Sequence, residues 1–289
     1  MNKHRPNISV LLLAFLIFSS NYNAQTWTGA DPVPLQRHSS AAVLLQDGRV
    51  FKTGGYMLGG TGCSVGATNQ CEVYNTLFDQ WSTVSAMTNS RRMHTATLLN
   101  SGEVLVTGGI CGGSTVEKYD PITGAWTIMT PMSVARSRHT ATLLNDGRVM
   151  VIGGDGNSFG VTCEIYDPVA NTWLTTLGPV ADMNEPRIWH TATLLPNGKI
   201  FVTGGVQFVT STPRTEIYDP AFNTWTIVAA DPAPRVAHCA TLLPNGLILV
   251  SGGGIPGTLA TYYNCHLYNP VTNNWSPTGS LTDNRDQCA

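Results

Sequence analysis

Four lines of the sequence superimpose without a gap: RRMHTATLLNSGEVLVTGG from Arg91, RSRHTATLLNDGRVMVIGG from Arg136, RIWHTATLLPNGKIFVTGG from Arg187 and RVAHCATLLPNGLILVSGG from Arg235. A fifth, RHSSAAVLLQDGRVFKTGG from Arg37, joins them if Ser40 takes the His position. Each line leads through a variable stretch to a second fixed one, such as CEIYDPVANTW or TEIYDPAFNTW, in which Tyr and Trp stand seven residues apart. A unit that recurs every 45 to 54 residues cannot bury its own apolar face and must stack on its neighbours, so the chain is confined to a repeat architecture.

Within a unit the residues call for four short strands. The HTATLL and VLVTGG runs are joined by Asp-Gly, Asn-Gly or Ser-Gly, which supply the positive φ of a tight hairpin, giving strands A and B. The EIY run reaches the TWTIV run through Asp-Pro or Asn-Pro, where proline fixes a turn and removes a ladder donor, giving strands C and D. The diglycines that close strand B open no helix, so they lack the helix N-terminus that lets a glycine loop hold phosphate. They read instead as tight turns where units crowd together, and the Tyr and Trp of each unit as packing aromatics.

A four-stranded unit with a diglycine after strand B and spaced Tyr and Trp resembles the kelch repeat of β-propellers, from Trp27 to Ala289. The dialect RHTATLLNDGRVMVIGG is similar to exported kelch propellers of the galactose oxidase type. The resemblance implies an all-β kelch-type β-propeller with five complete four-stranded blades. It fixes a fold more closely than an activity.

The ends keep the register. Trp to the next Arg is ten residues in four of five units, and Trp27 to Arg37 is again ten, so Trp27 marks an N-terminal orphan strand D. Arg285 opens strand A of a sixth blade, with Cys288 at its His position. The reading is a ring of six or seven blades truncated at its C-terminus. Ahead of it, Lys3 and Arg5, the apolar run Ile8–Phe18 and Ala24 form a signal peptide over 1–24, leaving the propeller at 25–289 in a secreted or extracytoplasmic location. A run of eleven residues, all apolar but Ser9, is shorter than the roughly 20 that span a bilayer, and no other segment qualifies. A net charge of −2 gives no basic field for nucleic acid or anionic lipid.

Candidate site residues fall on the face formed by the D-to-A and B-to-C connections. From diglycine to Tyr the B-to-C stretch runs 19 residues after Gly55, 10 after Gly109 and 15 after Gly253, whereas the opposite turns hold their length. Function is therefore expected on the variable side. One Arg per unit stands there: Arg37, Arg91, Arg136, Arg187 and Arg235. These either grip a carboxylate or sulfate on a ligand through bidentate bonds, or pair with the Glu that opens strand C, namely Glu72, Glu117, Glu164 and Glu216. His266 replaces that Glu in the fifth unit, which leaves Arg235 without its partner and makes it the foremost ligand candidate.

His94, His139, His190 and His238 occupy equivalent positions in successive units, which suits a repeated hydrogen bond better than a metal cluster. Tyr262, Tyr263, Cys265 and His266 hold the ingredients of the copper site that the resemblance implies, although no motif places that enzyme's ligands here. Strand alternation sets Cys265 beside Leu267 as a small apolar residue. Cys63 and Cys71 flank the longest loop and are expected to form a disulfide; with seven cysteines, at least one must be free or lack its partner. No nucleophile elbow, HExxH or Walker sequence is present.

The first expectation is thus an exported module that binds a glycan or a protein through its B-to-C face, with no cofactor and no metal. The second is the propeller of a carbohydrate-acting enzyme, a copper oxidase or a sugar epimerase.

Overall fold

The dipeptide turns close hairpins as their chemistry requires: Gly48, Gly102, Gly147, Gly198 and Gly246 all lie at φ between +80° and +88°. The computed structural model describes residues 36–57, 66–156, 160–174, 180–207, 210–211, 214–255, 257–258 and 260–282. The leader, the expected orphan strand at Trp27, the sixth-blade start at Arg285 and the loop Cys63 lie outside them.

Five four-stranded antiparallel sheets follow one another, each in up-and-down order from the axis outward. Blade 1 comprises β1 (Ala41–Leu44), β2 (Val50–Thr53), β3 (Cys71–Asn75) and β4 (Gln80–Val84). Blade 2 comprises β5 (Thr95–Leu98), β6 (Val104–Thr107), β7 (Val116–Tyr119) and β8 (Trp126–Met129). Blade 3 comprises β9 (Thr140–Leu143), β10 (Val149–Ile152), β11 (Cys163–Asp167) and β12 (Thr172–Leu174). Blade 4 comprises β13 (Thr191–Leu194), β14 (Ile200–Thr203), β17 (Thr215–Asp219) and β18 (Thr224–Val228), with a small hairpin, β15 (Val206–Gln207) and β16 (Thr210–Ser211), in its B-to-C connection. Blade 5 comprises β19 (Cys239–Leu242), β20 (Ile248–Ser251), β21 (Cys265–Asn269) and β22 (Asn274–Thr278). The inner strands pack in series, β1 on β5, β5 on β9, β9 on β13 and β13 on β19.

The core is accordingly divided among the blade interfaces. Phe51 and Val73 of blade 1 meet Val104, Val106 and Tyr119 of blade 2, and the same layer recurs between blades 2 and 3, 3 and 4, and 4 and 5. Second strands such as β6 and β10 are buried along their whole length because a neighbouring blade covers each face. The repeated Trp locks this packing, its indole N–H donating to a carbonyl of the preceding blade: Trp126 to Ser85, Trp173 to Thr130, Trp225 to Ala181 and Trp275 to Ala229, at 2.7–2.9 Å.

The diglycine is where one blade admits the next. The second glycine donates its N–H to the carbonyl of the next blade's Arg: Gly55 to Arg91, Gly109 to Arg136, Gly154 to Arg187 and Gly205 to Arg235, at 2.8–3.1 Å. The first glycine leaves room for that blade's His and Met. A Cβ on Gly108, at φ +63°, would meet Arg136 O at 2.4 Å and His139 Cε1 at 2.8 Å. Each His in turn brings Nε2 to a threonine of the preceding blade: His94 to Thr53 at 2.7 Å, His139 to Thr107 at 3.0 Å, His190 to Thr140 at 3.0 Å and His238 to Thr191 at 2.9 Å. Burial, reinforced by the nearby arginines, pushes the imidazoles of His94, His190 and His238 down to about 3 and that of His139 well below its usual range.

Gly108→Ala should cost about 2–4 kcal/mol, from backbone collision and left-handed strain together, whereas Gly124→Ala, at φ +72° with no atom within 4 Å, should cost only about 1 kcal/mol. Urea unfolding of both variants measures the gap. The histidines set an acid limit. They stay neutral in the fold but take up protons once unfolded, so stability is complete above about pH 6.5 and falls as pH drops toward about 3. The urea midpoint should decline across that window, and His190→Gln should be weaker at pH 7 yet show a shallower decline.

Candidate functional site

The five repeated arginines turn inward into the blades. Arg37 pairs with Glu72 at 2.9 Å, Arg91 with Glu117 at 2.6 Å, Arg136 with Glu164 at 2.7 Å and Arg187 with Glu216 at 2.6 Å, all with side chains at most 2% exposed. From Arg91 onward each guanidinium also donates to the first carbonyl of its own diglycine and to a carbonyl at the base of strand C, as Arg91 does to Gly108 O at 2.8 Å and Thr115 O at 3.1 Å. The glutamates reach further, accepting N–H bonds from the D-to-A connection: Thr88 and Asn89 to Glu117, Ser133 and Val134 to Glu164, Asn184 and Glu185 to Glu216. Burial pushes the Glu117 carboxyl up, but Arg91 and the Thr88 N–H more than offset this and hold it below the usual range. Of the two readings of these arginines, the geometry is that of a buried clamp binding three connections together.

Blade 5 corrects one expectation. Arg235 does have an acidic partner: Asp231, four residues upstream, brings Oδ2 to 3.0 Å from its Nε and Oδ1 to 2.8 Å from His266 Nδ1. A carboxylate has moved from strand C to the D-to-A connection, and His266 bridges the space left behind. Arg235 is fully buried, with the Tyr262 ring 5.2 Å from its guanidinium.

The Tyr262, Tyr263 and His266 cluster does not suit copper. The Arg235 guanidinium lies over the Tyr262 ring and 3.2 Å from His266 Nδ1, and a fixed cation between two donors opposes a second one. Tyr263 is 57% exposed. Cys265 is a free, buried thiol, as alternation suggests. Cys71 is also free and buried, with Sγ 3.5 Å from Asn69 O, so it does not carry the disulfide expected with Cys63; strand β3 turns it into the blade interface rather than toward the loop. Burial pushes its thiol up to about 12. Cys111 and Cys239 are the disulfide-bonded cysteines among the described residues.

What faces the mouth is set by the two residues after each buried Arg. The first pairs across to the residue following the diglycine: His38 with Tyr56, Arg92 with Ile110, Ser137 with Asp155, Ile188 with Val206 and Val236 with Gly254. The second, namely Ser39, Met93, Arg138, Trp189 or Ala237, lies at φ between +51° and +57° in every blade. Left-handed backbone at a non-glycine residue needs support, and here each N–H donates to the preceding blade's equivalent carbonyl: Met93 to Ser39, Arg138 to Met93, Trp189 to Arg138 and Ala237 to Trp189, at 2.9–3.2 Å. These residues line a cavity of about 650 Å³ that extends past His94, His139, His190 and His238 to Lys52 and Trp81 on blade 1.

The side chains on this frame form two cation–aromatic groups. His38 stacks on Tyr56 with centroids 4.8 Å apart, and the Arg92 guanidinium lies 5.3 Å from the same ring. Arg138 lies 4.7 Å from the Trp189 ring and pairs with Asp155, which also holds the Ser137 hydroxyl. Arg92 and Arg138 are both partly exposed, with Arg138 lining the cavity and Arg92 standing on the same frame outside its lining, and neither was legible as a candidate from the once-per-unit pattern. Their signal is that they break it, since the two positions after the fixed Arg read HS, RM, SR, IW and VA.

The kelch-repeats domain profile named for KLHDC2, KLHL20 and DRC7 matches residues 94–285. Kelch-like protein 23 of Mus musculus is 28% identical over 218 residues, covering 74% of this chain and 36% of its own length. Its counterpart in Homo sapiens is 28% identical over 219 residues, 73% of this chain and 37% of its own. Kelch-like protein terF of Aspergillus terreus is 27% identical over 145 residues, 46% of this chain and 30% of its own. The chain thus spans between 30% and 37% of the length of these relatives. Among solved structures, a fungal alcohol oxidase of the AA5 family in complex with copper superposes with a TM-score of 0.62 at 20% identity, covering 91% of this chain and 69% of that one. That likeness is one of fold.

Asp231→Ala should lower stability by about 3–5 kcal/mol, because it leaves Arg235 buried and uncompensated. Arg92→Ala, at a half-exposed position, should cost less than about 1 kcal/mol in the same urea titration.

Proposed function

Since this chain belongs to the kelch-repeat family, we propose that it is a binding module whose mouth, on the D-to-A and B-to-C face, captures a carboxylate-bearing segment of a protein partner. One observation carries the reading: a fixed backbone ring holds side chains that differ in every blade, and those chains gather two accessible guanidiniums beside three aromatic rings. Guanidiniums bind carboxylates in bidentate fashion, and rings that flank them supply apolar area and keep the cations oriented. Asp155 acts as a gate on charge, neutralising Arg138 until a stronger carboxylate arrives, while Arg92 has no carboxylate at hydrogen-bonding distance among the described residues. The signal-like leader supports work outside the cytoplasm.

Arrays of acidic and neutral peptides should show selective retention of the acidic set at low salt, fading as ionic strength rises. Arg92→Ala and Arg138→Ala should each weaken a retained peptide about tenfold or more while lowering the thermal midpoint by no more than about 4 °C. Equal binding of both peptide sets, or full binding by the double variant, would sink the proposal.

A further inference from the structure

The third residue of the second strand is valine in blades 2 to 5 and lysine in blade 1. Val106, Val151, Val202 and Val250 are fully buried against the preceding blade. Lys52 holds that position in β2, opposite Ala42 and Glu72, just as Val106 lies opposite Ala96 and Glu117. Phe51, Cys71 and Val73 turn into the layer shared with blade 2, so strand alternation points Lys52 to the other face of blade 1. That face also presents Leu44, 43% exposed, and the Trp81 ring, 6.0 Å from Lys52 Nζ. Among the described residues the apolar layers lie between consecutive blades, and none of them covers this face.

The clamp behind Lys52 is half filled. In blade 2, Arg91 Nη1 donates to two carbonyls, and Glu117 accepts the N–H groups of Thr88 and Asn89. Among the described residues the Arg37 side chain reaches Glu72 Oε2 alone, through Nη2, while Arg37 Nη1 and Nε and Glu72 Oε1 are buried without a partner. Both side chains are fully buried. Arg37, Lys52 and Trp81 line the same cavity as Arg138. Two cations here face one carboxylate, and burial, reinforced by Arg37, pushes the Lys52 ammonium below its usual range. An excess cation in a partly buried wall favours an anion beside it.

We propose that Lys52 and Arg37 form a second anion subsite in the wall of the mouth, which takes a carboxylate of an extended acidic segment on a protein partner. For its class of ligand this rests on the mouth being a receptor of acidic segments. Lys52 brings an adjustable charge on a flexible stem, while Arg37 Nη1 offers a fixed donor in the wall. Glu72 Oε1 accepts a backbone N–H of the same segment, as Glu117 does from Thr88, which selects a peptide over a bare anion. Leu44 and Trp81 supply apolar area beside the charge. The partner segment therefore carries at least two acidic residues, one for Arg138 and one for Lys52.

The lysines of the chain are Lys3, Lys52, Lys118 and Lys199, so acetylation of the full chain followed by peptide mapping reads each one. Lys118 and Lys199, held by Glu103 and Asp219, serve as references. Lys52 should acetylate in the free protein; an unreactive Lys52 beside reactive references means that the wall is already covered, and overturns the proposal. Saturating hexaglutamate should slow Lys52 about fivefold or more and leave the references within about twofold, whereas hexaglutamine should change none of them. Lys52→Met, which keeps the apolar stem, should weaken labelled hexaglutamate about fivefold, and Lys52→Arg should retain it. Equal affinity of Lys52→Met and the wild type counts against the subsite. Hexaglutamate that binds without protecting Lys52 leaves the reading of the mouth standing and sinks the subsite. Protection at unchanged affinity in the double variant Arg92→Ala with Arg138→Ala keeps the subsite and sinks that reading, and no binding at all ends both.

Discussion

From Arg91 onward the carbonyl of each repeated arginine reaches the diglycine of the blade before it, and the rest of the molecule is arranged around that contact. It brings two sheets so close that only hydrogen fits at the first glycine, which is why Gly108 collides with Arg136 and His139 in the presence of any Cβ. The same approach seals the imidazole from water, holds the Met beneath it, and fixes where the following two residues emerge. The arginine serves both sides, its carbonyl binding the preceding blade and its guanidinium binding its own diglycine and strand C. A change at this residue therefore affects three segments at once, and its burial follows from that.

The fold was legible because every structural requirement recurs. Hairpin glycines, Tyr and Trp each appear once per unit, and an Asp-Pro or Asn-Pro turn in four of the five, so the copies vote on the same strand boundaries, and five four-stranded sheets are observed among the described residues. The site was only partly legible for the same reason. Repetition draws the eye to Arg37, Arg91, Arg136, Arg187 and Arg235, whose constancy belongs to the scaffold. The residues that face the mouth, such as Arg92, Arg138 and Trp189, look like noise within the repeat.

Two further features depend on spatial detail that spacing does not encode. Asp231 replaces a strand C glutamate from a different segment, so its role shows only when β19 and β21 are side by side with the D-to-A connection. Cys71 looks like a loop residue by position in sequence, yet the pleat of β3 turns its thiol into the layer shared with blade 2. In both cases the direction a side chain takes from its strand decides the chemistry.

The chain of N–H to carbonyl bonds linking Ser39, Met93, Arg138, Trp189 and Ala237 has an electrostatic corollary. Its members run from blade to blade around the axis, so the peptide dipoles lie along the circumference and contribute little along the channel. A helix pointed at a ligand imposes its own sign on what can bind. This mouth imposes almost none, which leaves its polarity to be written by whichever side chains the five positions carry.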